Sequence, residues 1–482
     1  MKDLAERAVE AARLAGADYA DSRVLIVLDQ TVQVEDLSPK FIGDQHDAGI
    51  GVRVLKDGAW GFASISRVDK RSAEKAAKEA VAVAKASALA AGREKITLAA
   101  EPAHIGRFET KVAIDPFSIP VDEKTALLLR INATMLKVKG IVKAEARTRA
   151  TRRHQFFASS EGSSIETLIT SVNAEYTAVA ADKGDSQTRS LLDFPLNKGW
   201  EHILSRKMED QAGRIAEEAV AKLSAAYPEE GLIDLILDPS HLALTIHESV
   251  GHATELDRVL GYEANFAGTS FVTLDKKEQG FKYGSDLIHF VADNTLEGGL
   301  ATTGWDDEGV ACQKWDIIKN GMFKNYSSTR EVAIRAGYNR SFGSGRADSY
   351  ASMPINRIPN LCLMPGEKNI SPEELMAGVK KGICIEGRGS WSIDQRRLNF
   401  QFGGDVFYEI KNGKKDRMLR DVIYQSVTPD FWGAVDGISG AAWWEPRGFQ
   451  NCGKGEPMQT AQMTNGAPWI RVRNIRVSRG KK

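Results

Sequence analysis

Two histidines and a glutamate stand close together in the segment His247-Glu248-Ser-Val-Gly-His252. Two neutral imidazoles can bind a zinc ion, and a neighbouring carboxylate can act as the base for the water on that ion. The segment therefore predicts a zinc hydrolase that still needs a third protein ligand. One alternative stays open here: one histidine is a capped or core residue and the other is exposed.

The spacing of the histidines differs from the usual His-Glu-x-x-His helix, in which they lie four residues apart on one face. Five residues apart, they point about 140° from each other on an ideal helix. One ion can therefore bind both only if the helix is over-wound, bulged or broken between them. Gly251 precedes His252, and a glycine lowers the conformational energy of such a distortion. Bulges of the π type are frequent at functional sites.

The helix that carries these residues has a recognisable start. Asp238 can accept hydrogen bonds from the first free backbone N–H groups, and Pro239 lies where no N–H is needed. A strand over residues 232–237 leads directly into the helix. Its apolar residues, which we expect to pack into a core, are Leu242, Leu244, Ile246 and Val250.

Four cysteines in 482 residues do not make a disulfide framework, and none belongs to a Cys-x-x-Cys pair. Cys312, Cys362 and Cys384 lie in apolar runs and are expected to be small buried residues. Cys452 lies in a polar, glycine-rich stretch that predicts a loop, where a thiolate could reach a metal ion. A loop cysteine without a function is an equal alternative at this point.

The composition excludes several classes of protein. The 64 basic and 64 acidic side chains give no net charge, and no basic stripe interleaved with aromatic residues indicates a nucleic-acid surface. No apolar run reaches the 18 residues expected of a membrane helix. The first 14 residues predict a charged amphipathic helix without the apolar centre of a signal peptide, so we expect a cytoplasmic protein.

Helix and strand patterns predict an α+β fold in three parts. We expect an N-terminal α/β domain over residues 1–100 and a central α+β domain over residues 101–228, which a long helix near 203–225 closes. A C-terminal β-rich domain over residues 229–482 carries the zinc-binding helix. Hairpin turns are predicted at Asp57-Gly58, Asn320-Gly321 and Asn412-Gly413.

Several separate motifs together resemble one known family. The segments are His247–Asp257, Gly343–Asn360 with Met364–Gly366, Cys452–Lys454 with Pro468–Ile475, and Gly49–Val54 with Gly58–Ser64. They are similar to the signatures of the TldD branch of the TldD/PmbA proteins and follow in the same order. The resemblance extends from about residue 40 to residue 477.

The resemblance implies a zinc metalloprotease in which a distant cysteine is the third ligand. Mapped onto this chain, His247, His252 and Cys452 bind Zn²⁺, and Glu248 activates the metal-bound water. A metal-free PmbA-like subunit is expected to lack both histidines and the cysteine, whereas this chain has all three.

The resemblance also implies an assembly and a class of substrate. Members form dimers that enclose a chamber, into which unfolded or flexible peptide is threaded. This chain is therefore expected to form a homodimer, or a heterodimer with a PmbA/TldE-like subunit. A β-rich domain beside the zinc helix can accept an extended peptide as an added strand, with little side-chain selectivity. No nucleic-acid or membrane partner is expected.

Other polar residues of these motifs leave two interpretations each. Arg346, Tyr350 and Arg357 could grip a peptide carboxylate or stabilise the oxyanion, but we favour the interpretation that they brace turns. Glu255 and Asp257 either orient a metal-binding histidine or are solvated carboxylates at a helix end.

Two other functions compete with a peptidase. The same zinc chemistry serves an amidase or deacylase that acts on a non-peptide amide. The chain could also be a non-catalytic partner subunit whose metal is structural or absent.

Overall fold

The computed structural model describes residues 1–90, 92, 95–192 and 195–480. Its N-terminal elements alternate between helices and long strands. They are α1 Lys2–Leu14, β1 Tyr19–Glu35, β2 Ser38–Lys56, β3 Ala59–Ile65, α2 Lys70–Ala90, β4 Ile105–Glu109, α3 Val121–Leu136, β5 Ile141–Ser159, β6 Ser164–Asp182, β7 Asp185–Leu192, α4 Trp200–Ser205 and α5 Met208–Ser224.

The strands of this half form one sheet, which has seven strands within the described ranges. Its order is β3-β2-β1-β5-β6-β4, and β7 also pairs with β6. Strands β1 and β5 are antiparallel neighbours over residues 21–35 and 145–159, so the two predicted N-terminal domains share a sheet. The predicted boundary falls in the connection between α2 and β4 and stays a prediction.

Helices cover this sheet in two groups with separate cores. The alanine-rich faces of α1 and α2 pack on β1 and β2, whereas α3, α4 and α5 pack around β5 and β6. The helix predicted near 203–225 is interrupted. Lys207 has a φ of 45°, in the left-handed region that an α-helix cannot contain, and it separates α4 from α5.

The C-terminal elements are mostly short strands around a few helices. They are β8 Gly231–Leu237, α6 Pro239–Ile246, α7 Leu256–Val259, α8 Leu274–Glu278, β9 Phe290–Asp293, β10 Lys314–Lys319, β11 Met322–Phe323, α9 Arg330–Arg335, β12 Gly345–Arg346, β13 Ile355–Asn356, β14 Leu361–Leu363, α10 Pro372–Ala377, β15 Lys381–Glu386, β16 Trp391–Ile393, β17 Asn399–Gly403, β18 Val406–Lys411, β19 Lys414–Leu419, β20 Val422–Val427, α11 Thr428–Gly433, β21 Val435–Ile438, β22 Glu445–Lys454, β23 Gln459–Ala467 and β24 Ile470–Arg479. A π turn, His247–Gly251, and the 3₁₀ segments His252–Thr254 and Ala441–Trp443 complete the list.

Two large sheets organise this half among the residues described, and β12 and β13 form a separate two-stranded sheet. The larger has the order β16-β17-β20-β24-β8-β15-β18-β19, with β21 also paired to β24. The smaller has the order β11-β10-β9-β14-β23-β22. Helix α6 directly follows β8 of the larger sheet. Its apolar residues share one core with side chains of both sheets. This β-rich domain with an embedded helix, following two α/β units, confirms the predicted fold class.

All three predicted hairpin turns are present. Each Asx-Gly pair has positive φ at both residues, for example 49° at Asn320 and 75° at Gly321. This is the type I′ geometry that matches the twist of paired strands. No helix in the part of the chain that the structure describes is long and apolar enough to cross a membrane.

Candidate metal centre

The helix that carries the two histidines changes its winding between them. Asp238 caps the start of α6, and its carboxylate accepts a hydrogen bond of 2.8 Å from the N–H of His241. The helix ends at Ile246, and residues 247–251 form a π turn in which the N–H of His252 donates to the carbonyl of His247. This wider turn accommodates one extra residue, so positions five apart come together. The imidazole centroids lie 4.9 Å apart, so the helix has one of the distortions that binding of both histidines to one ion was predicted to require.

Gly251 is required at this turn for its lack of a side chain. Its φ is −55°, an ordinary helical value, so conformational freedom is not the reason for the glycine. A Cβ at this position would lie 2.9 Å from Cδ1 of Ile358, which is fully buried. The glycine therefore permits close packing of the π turn against the chain that precedes β14.

Cys452 comes from the other sheet and completes the cluster. Its Sγ lies 3.4 Å from Nε2 of His252, and one ligand atom from each of His247, His252 and Cys452 lies within 4.8 Å of the other two. The predicted loop is wrong, because Cys452 belongs to β22, in register with Ala461 of β23. Strand β22 is an edge strand, which explains its polar, glycine-rich sequence, and a register shift between Phe449 and Cys452 alters where the side chain points.

Each histidine makes a hydrogen bond through Nδ1. For His247 the partner is Oδ1 of Asn465 at 3.2 Å, and for His252 it is Oε2 of Glu255 at 2.8 Å. These contacts fix the ring orientations and leave Nε2 available for a metal. Two imidazoles and a thiol in this arrangement match the donors that zinc prefers. The residues present therefore fit a zinc ion.

A buried lysine supports the carboxylate that orients His252. The ammonium of Lys454 lies 3.1 Å from Oε1 of Glu255 and 2.7 Å from Oδ1 of Asp257. Burial alone would raise the pKa of Glu255, but Lys454 and His252 hold it well below the usual value. Glu255 is fully buried and Asp257 is 6% exposed, so the alternative of solvated carboxylates is wrong.

Burial and neighbouring charges shift the pKa values of the three candidate ligands. Burial lowers the pKa of both His247 and His252, which keeps the imidazoles neutral. Burial opposes ionisation of the Cys452 thiol, but the contact with His252 and the nearby Arg357 lower its pKa below the usual value. A neutral imidazole and a thiolate are the forms that coordinate a cation.

Glu248 lies on the same turn and has a partner that the sequence analysis missed. Its Oε2 accepts a hydrogen bond of 2.7 Å from Nη1 of Arg397, in the hairpin between β16 and β17. Nothing in the spacing of Arg397 indicated this contact across 149 positions. Asn465 and Lys454 were also missed, although Lys454 follows Cys452 by only two residues.

Arg346 and Arg357 hold backbone in place, as the favoured interpretation predicts, but most of the backbone they contact belongs to strands and not to the predicted turns. Arg346 donates to the backbone carbonyls of Gln462 and Ile358. Arg357 donates to those of Gln459 and Cys452, and it thereby secures β22 at the cysteine itself.

Tyr350 packs against the N-terminal sheet. A Cβ at Gly49 would lie 2.3 Å from its ring, so this contact requires the glycine.

Comparisons with known proteins identify one family over most of the chain. Family models described as PmbA/TldA metallopeptidase domain 1, central domain and C-terminal domain match residues 20–84, 114–227 and 230–479. A protein named as a metalloprotease from Methanocaldococcus jannaschii is 30% identical over 427 residues, which cover 88% of this chain and 90% of that protein.

Two more relatives extend this agreement. A protein named as a zinc metalloprotease TldD homolog from Saccharolobus solfataricus is 22% identical over 96% of this chain and 97% of its own length. The crystal structure of TldE from Thermococcus kodakarensis has the same fold, with a TM-score of 0.74, 18% identity, and coverage of 98% of this chain and 100% of that one.

Proposed function

Because this chain belongs to the PmbA/TldA metallopeptidase family, also known as TldD/PmbA, we propose that it is a zinc-dependent peptidase that hydrolyses unfolded or flexible peptides. The observation that carries the proposal is the convergence of His247, His252 and Cys452 beside Glu248. Homologues named as metalloproteases support a metallopeptidase role in general. The three ligands, the base and the identity of the ion are the finer parts of the proposal.

In this mechanism the chain's own groups hold the reactants and move a proton. His247 and His252 would bind the ion through Nε2, and Cys452 through Sγ. Zinc, when bound, would act as a Lewis acid that lowers the pKa of water and polarises the scissile carbonyl. Glu248 takes a proton from the attacking water and delivers it to the leaving amine. Glu248 directly follows the proposed ligand His247 on the π turn, which supports this role.

Substrate selection follows from the strand arrangement. Cys452 lies on β22, an edge strand of the smaller sheet within the described residues. A peptide that pairs with such an edge uses main-chain hydrogen bonds and must be extended, which favours unfolded segments over folded proteins.

The proposed assembly is a dimer that encloses the site in a chamber, formed with a second copy or with a TldE-like subunit. The shared fold with TldE supports the second arrangement. The proposed compartment is the cytoplasm. The four cysteines form no disulfide in the structure as described, and free thiols are typical of proteins in that compartment.

The deciding experiment measures zinc content and peptide cleavage together. We expect about one zinc per chain and cleavage of an unstructured peptide library in the wild type. Cys452→Ser is expected to lose both, since a ligand is removed, whereas Cys312→Ser, which alters a cysteine outside the cluster, keeps both. Glu248→Gln keeps the metal and loses turnover.

Other outcomes would contradict the proposal. Cleavage of small acyl amides without cleavage of peptides would identify a non-peptide amidase or deacylase. Absence of stoichiometric zinc from the wild type would favour a non-catalytic partner subunit. Peptide cleavage by Glu248→Gln at the normal rate would show that another group is the base.

A further inference from the structure

Arg397 is the side chain in direct contact with the proposed base. Its Nη1 lies 2.7 Å from Oε2 of Glu248, and the two side chains are 15% and 10% exposed. The contact joins the hairpin turn between β16 and β17 to the π turn of the metal centre. Arg346 and Arg357 serve as braces by donating to backbone carbonyls. Arg397 differs from them because it donates to a carboxylate with a proposed chemical role.

The turn that carries Arg397 holds its backbone in an uncommon conformation. The φ of Arg397 is 61°, in the left-handed region that non-glycine residues rarely adopt. Its N–H donates to the carbonyl of Asp394 at 2.9 Å, and its carbonyl accepts from Oγ1 of Thr428 at 2.8 Å. Such conformations persist where the surroundings enforce them, and they cluster at functional sites.

The guanidinium has more donors than its contacts use. Nη1 donates to Glu248, and Nε is buried without a hydrogen-bond partner. Nη2 donates to no residue in the described ranges. Because a guanidinium is a rigid planar fork, Nη2 is fixed next to Nη1, the nitrogen that contacts the carboxylate of Glu248. The guanidinium that holds the proposed base thus keeps N–H groups that donate to no described residue.

We propose that Arg397 is a catalytic residue that orients Glu248 through Nη1 and donates through Nη2 to the oxygen of the scissile carbonyl. The inference rests on the proposed peptidase function. It adds Arg397 as a second group, besides zinc, that stabilises negative charge on the carbonyl oxygen. When the water oxygen bonds to the carbonyl carbon, its proton passes to Glu248 and the π electrons move to the carbonyl oxygen. The N–H groups of Arg397 stabilise that charge. The C–N bond then breaks as Glu248 returns the proton to the amine nitrogen.

Donors aimed at a developing oxyanion act mainly in the transition state, so their loss lowers kcat more than it raises KM. Arg397→Gly is the most informative variant, because glycine adopts a positive φ without strain and leaves the turn intact. We expect kcat to fall about 100- to 1,000-fold, with KM within about threefold of the wild type and zinc content unchanged. Added guanidinium ion is expected to restore part of the turnover in a saturable manner.

Binding measurements test the same role without turnover. A phosphinic peptide imitates the tetrahedral carbon and its charged oxygen, whereas a product peptide does not. We expect Arg397→Gly to weaken binding of the phosphinic peptide by a factor similar to the fall in kcat and to leave product binding unchanged.

Two further variants complete the design. Arg397→Met keeps the length of the side chain without any donor, and it decides the question if the glycine variant does not fold. Arg396→Met is the matched control, since Arg396 is exposed in the same turn and its side chain donates to no described residue. We expect the control to behave as wild type and the methionine variant at position 397 to lose turnover.

The inference is overturned if either variant of Arg397 keeps kcat within threefold of the wild type or exceeds it. A loss that appears only in KM, or that accompanies loss of zinc, also overturns it. These results would leave an active wild type and hence the peptidase proposal intact. A wild type with neither zinc nor peptide cleavage would instead refute the peptidase proposal and this inference together.

Discussion

At the scale of single residues, the charge on Glu255 acts directly on His252, one of the proposed metal ligands. This carboxylate accepts a hydrogen bond from the imidazole of His252, and Lys454 compensates for its burial. A carboxylate behind a ligating histidine makes the imidazole a better donor and fixes its orientation. The triad of His252, Glu255 and Lys454 would therefore orient one proposed ligand without a bound ion.

We expect Glu255→Gln to lower zinc affinity about 10- to 100-fold, because the amide keeps the shape of the carboxylate but loses its charge. Competition with a chelator measures the change. Asp257→Asn is the matched control, since Asp257 contacts the same lysine without touching the histidine. Equal effects of both variants would show that the charge of the pocket as a whole, and not the contact with His252, sets the affinity.

At the scale of elements, the π turn determines whether the two histidines meet. Its position depends on the close approach of Gly251 to Ile358 in the core. A regular α-helix through residues 247–252 would separate the imidazoles by about 140°. The winding of one turn thus decides whether a single ion can bind both side chains.

Gly251→Ala is expected to destabilise the protein by about 1–3 kcal/mol, because the added methyl group collides with a buried isoleucine. Combining it with Ile358→Val is expected to recover part of this loss, as denaturant unfolding will show. In Gly213→Ala the glycine lies inside α5 with no atom near the added carbon. That control is expected to gain stability from its higher helix propensity. If the losses in unfolding free energy caused by Gly251→Ala and Ile358→Val simply add in the double variant, the steric explanation is contradicted.

At the scale of the whole molecule, buried charges join the N-terminal sheet to the C-terminal domain. Arg53 on β2 bonds to Asp21 of its own sheet and to Glu308 of the C-terminal half. Asp307 accepts hydrogen bonds of 2.7 Å from Gln155 on β5 and 2.8 Å from the N–H of Ala347. Breaking such buried contacts leaves uncompensated charges, so we expect the halves to unfold together.

Asp307 gives this interface a dependence on pH. Burial opposes its ionisation, but Arg23, Arg153 and its hydrogen bonds lower its pKa below the usual value. The folded state therefore favours the charged form. The resulting stability is fully present above the pKa of an unfolded aspartate, about 4, and is lost as the pH falls through the lower folded value.

Asp307→Asn is accordingly expected to be less stable than the wild type at pH 7, and the difference should shrink below pH 4. Urea unfolding at several pH values measures both trends. Asp286→Asn is the control, because Asp286 is 80% exposed and its partner among the described residues is a surface lysine, Lys282. A difference that grows on acidification would contradict the assigned direction.

Short-range features were predictable because nearby residues produce them. The sequence alone identified the helix start at Asp238, the distortion between His247 and His252, and the three hairpin turns. In each case a side chain acts on backbone within a few residues. The family motifs added Cys452, which local reasoning left undecided between a ligand and a residue without function.

Tertiary structure alone decided which distant groups meet at the centre. It placed Cys452 on an edge strand, brought Arg397 to Glu248 and buried Glu255 with Lys454. It also showed that Gly251 is needed for packing against Ile358, not for an unusual φ. These contacts join residues that are far apart in the chain, and they form only when both sheets close around α6. No local spacing encodes them, because the packing of the whole domain sets their distances.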